Sequence, residues 1–400
     1  MPRSASLDGM TGRIVLYGAT GYTGTLTAQA MVASGRRPVL AGRDQIRLDA
    51  LAARLAQTGD AIQLETAVAG TAGPGQLRDL IEPGDVLVST AGPFMKIGRA
   101  AVAAAVDAGA IYLDSSGEPP FIRQVFEEFG PRAERTGAAL LTAFGYDYVP
   151  GNLAGALALQ AAGPAATQVR VGYFVRGNLQ RGTSAGTRAS VAGVLVEAGY
   201  AYRGGRIVTE RTAAHVTSFE IHGKKKEAFS IGSSEHFALP RLRSQAADAD
   251  GSSVQAPLTD VGVYLGWFGR ATRLVHYGSV LAVPLGRQPV VRRALDALAR
   301  RIQRSRAGPG TAQRMRSDVV AVAGDANGTM LPAVRLSGGD PYSFTAPILA
   351  WAAGKAAADG VRPAGALGPV EAFGLDALET ACAGAGFHRE PAAAEPGARR

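Results

Sequence analysis

The feature that most constrains this chain is a glycine-rich stretch near its start, LYGATGYTGTLTA at residues 16–28. It follows a short apolar run, RIVLY, and precedes residues with the pattern of a helix. A strand, a turn with glycines three residues apart and a helix are together typical of a dinucleotide-binding βαβ unit. Gly18 would permit the tight turn, Gly21 would let the backbone approach a pyrophosphate, and Gly24 would let the helix pack closely. The predicted pyrophosphate loop is completed by Ala19, Thr20, Tyr22 and Thr23. A tight turn without a ligand is the alternative.

Short apolar runs alternate with helix-like stretches over roughly the first 150 residues. Apolar strands separated by helices indicate a parallel sheet that is covered on both faces. We therefore predict an α/β fold, with a Rossmann doubly wound parallel sheet in residues 1–155 and a second α+β domain in residues 156–335. In the second domain TQVRVGYFVRG alternates apolar and polar residues, as in a half-exposed antiparallel strand. Residues 336–388 are predicted to be helical and to pack back on the first domain, and residues 389–400 to be a disordered tail.

Two further loops follow predicted strands and would border the same nucleotide. Arg43 follows the second strand, where an NAD-binding protein usually has an acid that bonds the ribose hydroxyls. A guanidinium there suits the 2′-phosphate of NADP instead, and Asp44 is predicted to cap the next helix. The loop after the fourth strand is predicted to lie on the nicotinamide side. That loop consists of Ala91, Gly92, Pro93 and Phe94. A surface arginine and an ordinary turn are the alternatives at these two places.

Composition restricts the other classes of function. The one cysteine, Cys382, excludes internal disulfides. The five histidines are scattered without the spacing of metal ligands, so no metal site is predicted. We find no signal-peptide pattern and no uninterrupted apolar stretch of about 18 residues. These observations predict a cytoplasmic chain without a transmembrane segment.

Much of the net charge of +9 comes from residues 286–316, where nine arginines accompany one acid. Within this segment Val291, Leu295, Leu298 and Ile302 form a helical apolar stripe. A surface helix docked by that stripe is the simplest interpretation. An anionic partner, either an acyl-carrier protein or a membrane surface in peripheral contact, is the alternative. No nucleic-acid partner is predicted, because no basic face interleaved with aromatic residues accompanies the arginines.

Motifs further along the chain are YLDSSGE (112–118), GYDYVPGNL (145–153), SAGTRAS (184–190), EHFALPR (235–241) and GGDPY (338–342). With GATGYTG, LAGR and AGPF, they make the chain resemble the saccharopine dehydrogenase-like family of NADP-binding reductases, in particular its trans-acting enoyl reductase branch. The resemblance implies a Rossmann domain that binds NADP(H) and a second domain that closes over the substrate. It also implies reduction of C=C bonds in lipid or polyketide chains, or of C=N bonds. In one departure, the family's D-x-V-P-x-D pattern ends here in Asn152.

Hydride transfer often needs a proton donor as well, and the predicted strand ends offer candidates. Tyr146 and Asp147 follow the sixth strand, and Glu118 follows the fifth. We predict these three as the catalytic residues. Tying of the loop is the alternative role for Asp147, and capping of the next helix is the alternative for Glu118. Glu235 and His236 are predicted to face opposite ways on a strand, which makes His236 structural.

The sequence thus predicts an NADPH-dependent oxidoreductase with its active cleft between two domains. Its predicted substrate is a small molecule or acyl chain with an enoyl-type C=C bond. A C=N reductase and a non-catalytic NADP-binding scaffold protein are the alternatives, and a homodimer is a further prediction.

Overall fold

The structure, a computed structural model, describes residues 12–57, 63–70, 74–177, 197–250, 256–286, 288 and 315–391. Its contacts divide the described residues into two units. The first comprises those within Met1–Ser115, Glu127–Thr142 and Ala346–Leu367, and the second those within Ser116–Phe126, Ala143–Thr345 and Gly368–Arg400. Each unit is therefore built from several stretches of chain. The continuous domains predicted above, with boundaries at residues 155 and 335, stay predictions.

The first unit contains a seven-stranded sheet. Its strands are β1 (Ile14–Tyr17), β2 (Val39–Gly42), β3 (Thr66–Val68), β4 (Val86–Ser89), β5 (Ile111–Asp114), β6 (Ala139–Leu141) and β15 (Gly365–Ala366). They pair in the order β15-β6-β5-β4-β1-β2-β3, and every pair is parallel. The order 3-2-1-4-5-6 is that of a dinucleotide-binding doubly wound sheet. The predicted fold class is confirmed.

Helices connect these strands. They are α1 (Tyr22–Ala33), α2 (Gln45–Ala56), α3 (Pro74–Arg78), α4 (Phe94–Ala108), α5 (Pro119–Gln124) and α6 (Gly130–Thr136). The single helix expected around residues 120–136 is instead α5, a π-helical turn (Val125–Phe129) and α6. Pro131, at the start of α6, has no N–H to donate to a continuing helix, which favours this break.

Burial explains why short apolar runs suffice for these strands. β1, β2, β4 and β5 are buried along their whole length, as a central parallel strand must be when helices cover both faces. On α2 the buried residues Leu48, Leu51 and Leu55 lie three and four positions apart, which forms one helical face. A helix was predicted here from the sequence, so these four strands and α2 follow from its local pattern.

The second unit contains a nine-stranded sheet. Its strands are β7 (Ala166–Arg176), β8 (Ala198–Arg203), β9 (Arg206–Arg211), β10 (Val216–Ile221), β11 (Lys224–Ser230), β12 (Asp260–Leu265), β13 (Arg316–Asp325), β14 (Val334–Gly338) and β16 (Phe387–Arg389). The main order is β10-β11-β12-β7-β13-β14-β16, and β8 joins β9 to β12. Since only β7 and β12 pair in parallel, the sheet is mixed, which agrees with the predicted α+β character.

The expectation that β7 is half-exposed was wrong for its second half. β7 lies between β12 and β13 rather than at an edge. Val171 and Tyr173 are buried on one face, and Phe174 is buried on the other, in a cluster with Phe219 and Tyr264. A strand in the middle of a sheet can be covered on both faces, and the alternation of its sequence does not reveal the second cover.

The remaining helices are α7 (Val149–Ala162), α8 (Glu235–Asp250), α9 (Thr272–Gly286), α10 (Pro341–Asp359), α11 (Pro369–Phe373) and α12 (Leu375–Gly384). Residues of α10 from Ala346 onwards, with β15, belong to the first unit, whereas α11, α12 and β16 belong to the second. The C-terminal stretch is thus not wholly helical, because it supplies one short strand to each sheet. None of the helices in the described parts of the chain is long and apolar enough to cross a bilayer.

Candidate functional site: a nucleotide loop and a pair of buried acids

The glycine loop joins β1 to α1 in the geometry expected for a tight turn. Gly18 has φ +82°, a left-handed conformation that favours glycine. Its N–H donates to the carbonyl of Ala41 at 2.9 Å, which fixes the loop beside β2. A methyl group on Gly24 would overlap the carbonyl oxygen of Gly18 and lie 2.8 Å from Thr90 Oγ1. Glycine at this position therefore allows the start of α1 to pack against the loop.

The start of α1 has the properties of an anion site. Gly21 occupies the N-cap position and offers no side chain to bond the N–H groups of the first turn. Those groups and the positive end of the helix dipole favour a phosphate there. A methyl group on Gly21 would meet only the oxygen of Gly18, at 3.2 Å, so the space that a side chain would fill here is open for the close approach of a ligand. The residues present thus fit a dinucleotide pyrophosphate, although the contact itself stays a prediction.

The loop from Ala91 to Phe94 lies directly beside the glycine loop. The N–H of Thr90 donates to the carbonyl of Tyr17 at 2.9 Å, and its hydroxyl lies 3.2 Å from the oxygen of Gly18. A methyl group on Gly18 would lie 2.9 Å from the nitrogen of Ala91. The structure therefore brings the two predicted cofactor loops together at the carboxyl ends of β1 and β4.

Arg43 follows β2 at this same edge of the sheet and is exposed. Burial raises the pKa of the Tyr17 hydroxyl at the end of β1, and the positive charge of Arg43 opposes that shift. Asp44 caps α2, because its carboxylate accepts a hydrogen bond from the N–H of Arg47 at 3.2 Å. The predicted capping role is confirmed. An exposed cation therefore stands where an NAD-specific site would present an acid.

Sequence reasoning missed Arg47. Its guanidinium donates to the carbonyl of Thr20 at 2.9 Å, within the glycine loop. It also lines a cavity of about 650 Å³ together with Gly21, Tyr22 and Arg54. The signal was available, because Arg47 lies one helical turn after Arg43 and opens α2. Arg47 and Arg54 therefore place further positive charge beside the predicted phosphate loop.

The predicted catalytic residue Tyr146 is deeply buried in the second unit. It is 2% exposed and contacts the rings of Tyr173, Trp267 and Phe387, with centroid distances of 5.8, 6.4 and 6.1 Å. Burial raises the pKa of its hydroxyl. These surroundings give Tyr146 a packing role, and its catalytic role stays a prediction.

Its neighbour Asp147 retains some exposure and has a carboxyl group suited to proton transfer. A methyl group on Gly117 would lie 2.8 Å from Asp147 Oδ2, so the glycine leaves room for this carboxyl group. Burial raises the pKa of Asp147 to about 7. The group is therefore protonated in part at neutral pH, and a pKa near the working pH suits a general acid.

A second acid, Glu235, was not among the predicted catalytic residues. The expectation that Glu235 and His236 lie on a strand was wrong, since α8 begins at Glu235. Glu235 is fully buried, and its Oε1 accepts a hydrogen bond from the Tyr173 hydroxyl at 2.6 Å. Burial raises its pKa to about 7, and the negative charge of Asp147 adds to that shift. A methyl group on Gly151 would overlap both partners of this bond, so glycine is needed beside it.

His236 agrees with its predicted structural role. The ring is 1% exposed, and its Nδ1 lies 3.1 Å from the Ser233 hydroxyl. Burial lowers the pKa of His236 to about 3, so the imidazole is neutral at physiological pH. A neutral ring bonded to its own loop stabilises the start of α8.

Glu118 occupies the N-cap position of α5, but its side chain makes no capping hydrogen bond. It is 8% exposed, and its backbone N–H donates to Ser116 Oγ at 3.1 Å. The amide of Asn152 donates to the carbonyl of Tyr148 at 2.9 Å and to the Ser234 hydroxyl at 3.0 Å. Asn152 therefore ties two loops of the second unit together, and a catalytic role for Glu118 stays a prediction.

Two features of the sequence lie outside the described residues. They are the SAGTRAS motif at 184–190 and the apolar stripe from Val291 to Ile302. Among the described residues, one group of potential metal ligands is close together, formed by His222, Asp318 and Glu390. Arg176 already pairs with Asp318 at 3.0 Å, and its positive charge disfavours a cation there.

These loops and their strand order define a class of protein, the dinucleotide-binding α/β proteins. Comparison with known proteins makes this more specific. Residues 14–141 match the family model of the saccharopine dehydrogenase NADP binding domain. These residues therefore resemble the NADP-binding domain of saccharopine dehydrogenases, which agrees with the resemblance seen in the sequence, and the predicted cofactor NADP(H) is confirmed.

Curated relatives extend this similarity in part. A trans-acting enoyl reductase of Mycobacterium ulcerans is 36% identical over 142 residues, which cover 35% of this chain and 34% of that protein. A Mycobacterium tuberculosis protein, Rv2449c, which carries the same name provisionally, is 36% identical over 185 residues, 46% of this chain and 44% of its own length. The matched region thus spans less than half of each relative. A meso-dapdh mutant of Clostridium tetani has a TM-score of 0.42 at 12% identity over 92% of this chain and 95% of its own, too weak a similarity to inform function.

Proposed function

We propose that this chain is an NADPH-dependent reductase that transfers hydride to an enoyl-type C=C bond of a lipid or polyketide chain. The observation that carries the proposal is the NADP-binding domain at residues 14–141, with its glycine loop open at Gly21 and its cation at Arg43. The choice of a C=C acceptor is supported by the names of the mycobacterial relatives.

Reduction of an enoyl group adds a hydride to one carbon and a proton to the other. Bound NADPH supplies the hydride. We propose that Asp147 supplies the proton, because its carboxyl group is partly accessible and is protonated below a pKa of about 7. A positioned acid of this kind contributes about 10²-fold or more to such a step. Glu235 and Tyr173 would hold this region in place through their short hydrogen bond.

The second candidate is a C=N reductase. It is favoured by the name of the matching domain model, since saccharopine chemistry joins an amine to a carbonyl carbon. Further proposals concern partners: an acyl chain or other small molecule as substrate, an acyl-carrier protein that delivers it, and a homodimer. Cytoplasmic location stays a prediction of the sequence.

Consumption of NADPH, followed by its absorbance, tests the proposal. We expect turnover with enoyl thioesters of increasing chain length and none with cyclic imines. In Asp147→Asn turnover should fall about 10²-fold while NADPH binding is kept, and Tyr146→Phe should stay near the parent value.

Turnover with imines alone would replace the C=C proposal by the C=N one. Tight NADPH binding without turnover on any acceptor would favour the non-catalytic scaffold. A loss in Tyr146→Phe that matches the loss in Asp147→Asn would reassign the proton donor to Tyr146.

A further inference from the structure

Helix α9 in the second unit presents its apolar side chains to solvent. Leu274, Tyr277 and Val280 are 74, 67 and 50% exposed. They lie three residues apart, so they share one side of the helix within an arc of about 120°. Isolated apolar residues on a surface are ordinary, but three in register along one helix form a continuous patch.

Over residues 272–280, whose side chains the structure describes, the side of α9 that faces the protein is mainly polar. Thr272 and Ser279 are almost fully buried. His276 Nδ1 lies 2.7 Å from the carbonyl oxygen of Ala213, and Arg211 donates to the carbonyl of His276 at 2.8 Å and to the Ser279 hydroxyl. An ordinary surface helix buries its apolar face, so residues 272–280 of α9 show the reverse arrangement. Polar contacts hold it in place and leave the apolar side for another surface.

Exposed cations lie at the start of α9 and on β11, a strand that this helix contacts. Arg270 and Arg273 are exposed at the start of α9, and Arg273 is paired with Glu227 of β11 at 2.6 Å. Lys224 and Lys225, at the beginning of β11, are also exposed. In the sequence, α9 is followed by the segment 286–316 with its nine arginines and one acid. A partner for this region must therefore accept apolar side chains and carry negative charge.

We propose that α9 is a docking surface for the interface of an anionic lipid bilayer. The helix has 15 residues, which at about 1.5 Å each gives roughly 22 Å, less than the ~30 Å of a hydrocarbon core. It would therefore lie in the plane of the interface, with Leu274, Tyr277 and Val280 among the acyl chains and the cationic side chains at the headgroups.

Other occupants fit the surface less well. A second copy of the chain would bring the same cations together, and like charges repel across an interface. An acidic acyl-carrier protein would satisfy the cations, but recognition by charge alone would leave the apolar side chains in water. An anionic bilayer accommodates the apolar side chains among its acyl chains and the cations at its headgroups.

Flotation of the full chain with vesicles tests the proposal. We expect at least tenfold more binding to equimolar phosphatidylglycerol and phosphatidylcholine than to phosphatidylcholine alone, and weaker binding at 0.5 M salt because the charges are screened. In the double variant Leu274→Asp and Val280→Asp, binding to the anionic vesicles should fall at least tenfold. The matched control is Ile46→Asp, which places an acid at an equally apolar, 82% exposed side chain of α2, and it should bind like the parent.

Thermal unfolding of each variant, measured beside vesicle binding, distinguishes a bilayer from the other partners that could cover this surface. Absence of binding to the anionic vesicles would overturn the proposal. A large fall in the melting temperature of the double variant with unchanged vesicle binding would assign the patch to the chain's own following segment. Binding to an acyl-carrier protein but not to vesicles, or a dimer that the double variant loses, would equally overturn it. None of these readouts depends on reductase activity, so the proposal can fail while the proposed function stands.

Discussion

Asp147 and Glu235 are two carboxyl groups of the second unit that hold protons near neutral pH. In both, burial is the main cause of a pKa raised to about 7. The Glu235 carboxyl group accepts a hydrogen bond from the neutral Tyr173 hydroxyl, and the hydrogen bonds to it only partly offset the effect of burial on its pKa. Removing a carboxylate from water without a cation costs free energy, so the protonated form is favoured. This arrangement makes the stability of the protein depend on pH.

We expect the free energy of unfolding to fall as the pH rises from about 5 to above 7. The folded state binds more protons than the unfolded state over this range, because both pKa values are raised on folding. The stabilisation is complete below the unfolded pKa and is lost as the pH passes the folded one. Glu235→Gln should flatten the pH dependence by up to a few kcal/mol, which urea unfolding at pH 5.5, 7 and 8.5 measures.

The matched control for that series is Glu220→Gln, an exposed acid on β10. It should leave the pH dependence unchanged. A Glu235→Gln curve parallel to that of the parent would show that Glu235 is ionised at neutral pH, contrary to this account.

Arg43 sets the expected choice between the two nicotinamide cofactors. We expect Arg43→Ala to weaken NADPH binding about tenfold or more and to leave NADH binding nearly unchanged, because only NADPH carries the phosphate that a guanidinium would bond. Arg37→Ala is the control, since Arg37 is exposed at the opposite end of β2. Titration of each variant with both cofactors measures the effect. Equal losses for NADPH and NADH would remove the 2′-phosphate role, and an unchanged NADPH affinity would direct attention to Arg47.

At the scale of elements, the turn from β1 into α1 separates a glycine needed for folding from one needed for binding. Gly24→Ala should destabilise the protein without cofactor by about 1–3 kcal/mol, because its methyl group would overlap the oxygen of Gly18. Gly21→Ala should leave that stability almost unchanged and weaken NADPH binding by about tenfold, since its methyl group would occupy the open side of the loop. Unfolding curves and cofactor titrations check the two variants. Equal effects on both quantities in both variants would contradict this separation.

The sequence predicted best the elements whose signal is local. β1, β2, β4 and β5 are short apolar runs between turn residues, and they stand where the pattern placed them. α8 was mistaken for a strand, because Pro240 inside it discourages a helix and only tertiary contacts reveal that it begins at Glu235. The pairing of Glu235 with Tyr173 joins residues far apart in sequence, so no spacing indicates it. The glycine loop and Asp147 could be predicted because each follows a strand with a local signal. Glu235 was missed because its bond to Tyr173 depends on the tertiary fold.

At the scale of the whole molecule, the fold is hard to predict from the sequence because each unit is assembled from separate stretches of the chain. The first unit is assembled from three stretches, and the last of them supplies β15 and most of α10. β15 has two residues, Gly365 and Ala366, which carry no strand signal of their own and are fixed by pairing with Ala139 and Leu140. Residues 336–388 were expected from the sequence to return to the first domain as helices, but their pattern contained no signal that they would add a strand to its sheet. The matched family model likewise stops at residue 141, with β6.

Because β15 is synthesised long after β6, the edge of the first sheet is completed late during translation. Gly365 leaves the ribosome about 226 residues after Ala139, its neighbour in the finished sheet. At about 5–20 residues per second, the outer edge of β6 stays without its partner for roughly 10–45 s. An unpaired parallel edge invites pairing with other chains. Slow or stalled translation between these two points should therefore favour aggregation of the nascent protein more than the same delay after residue 367.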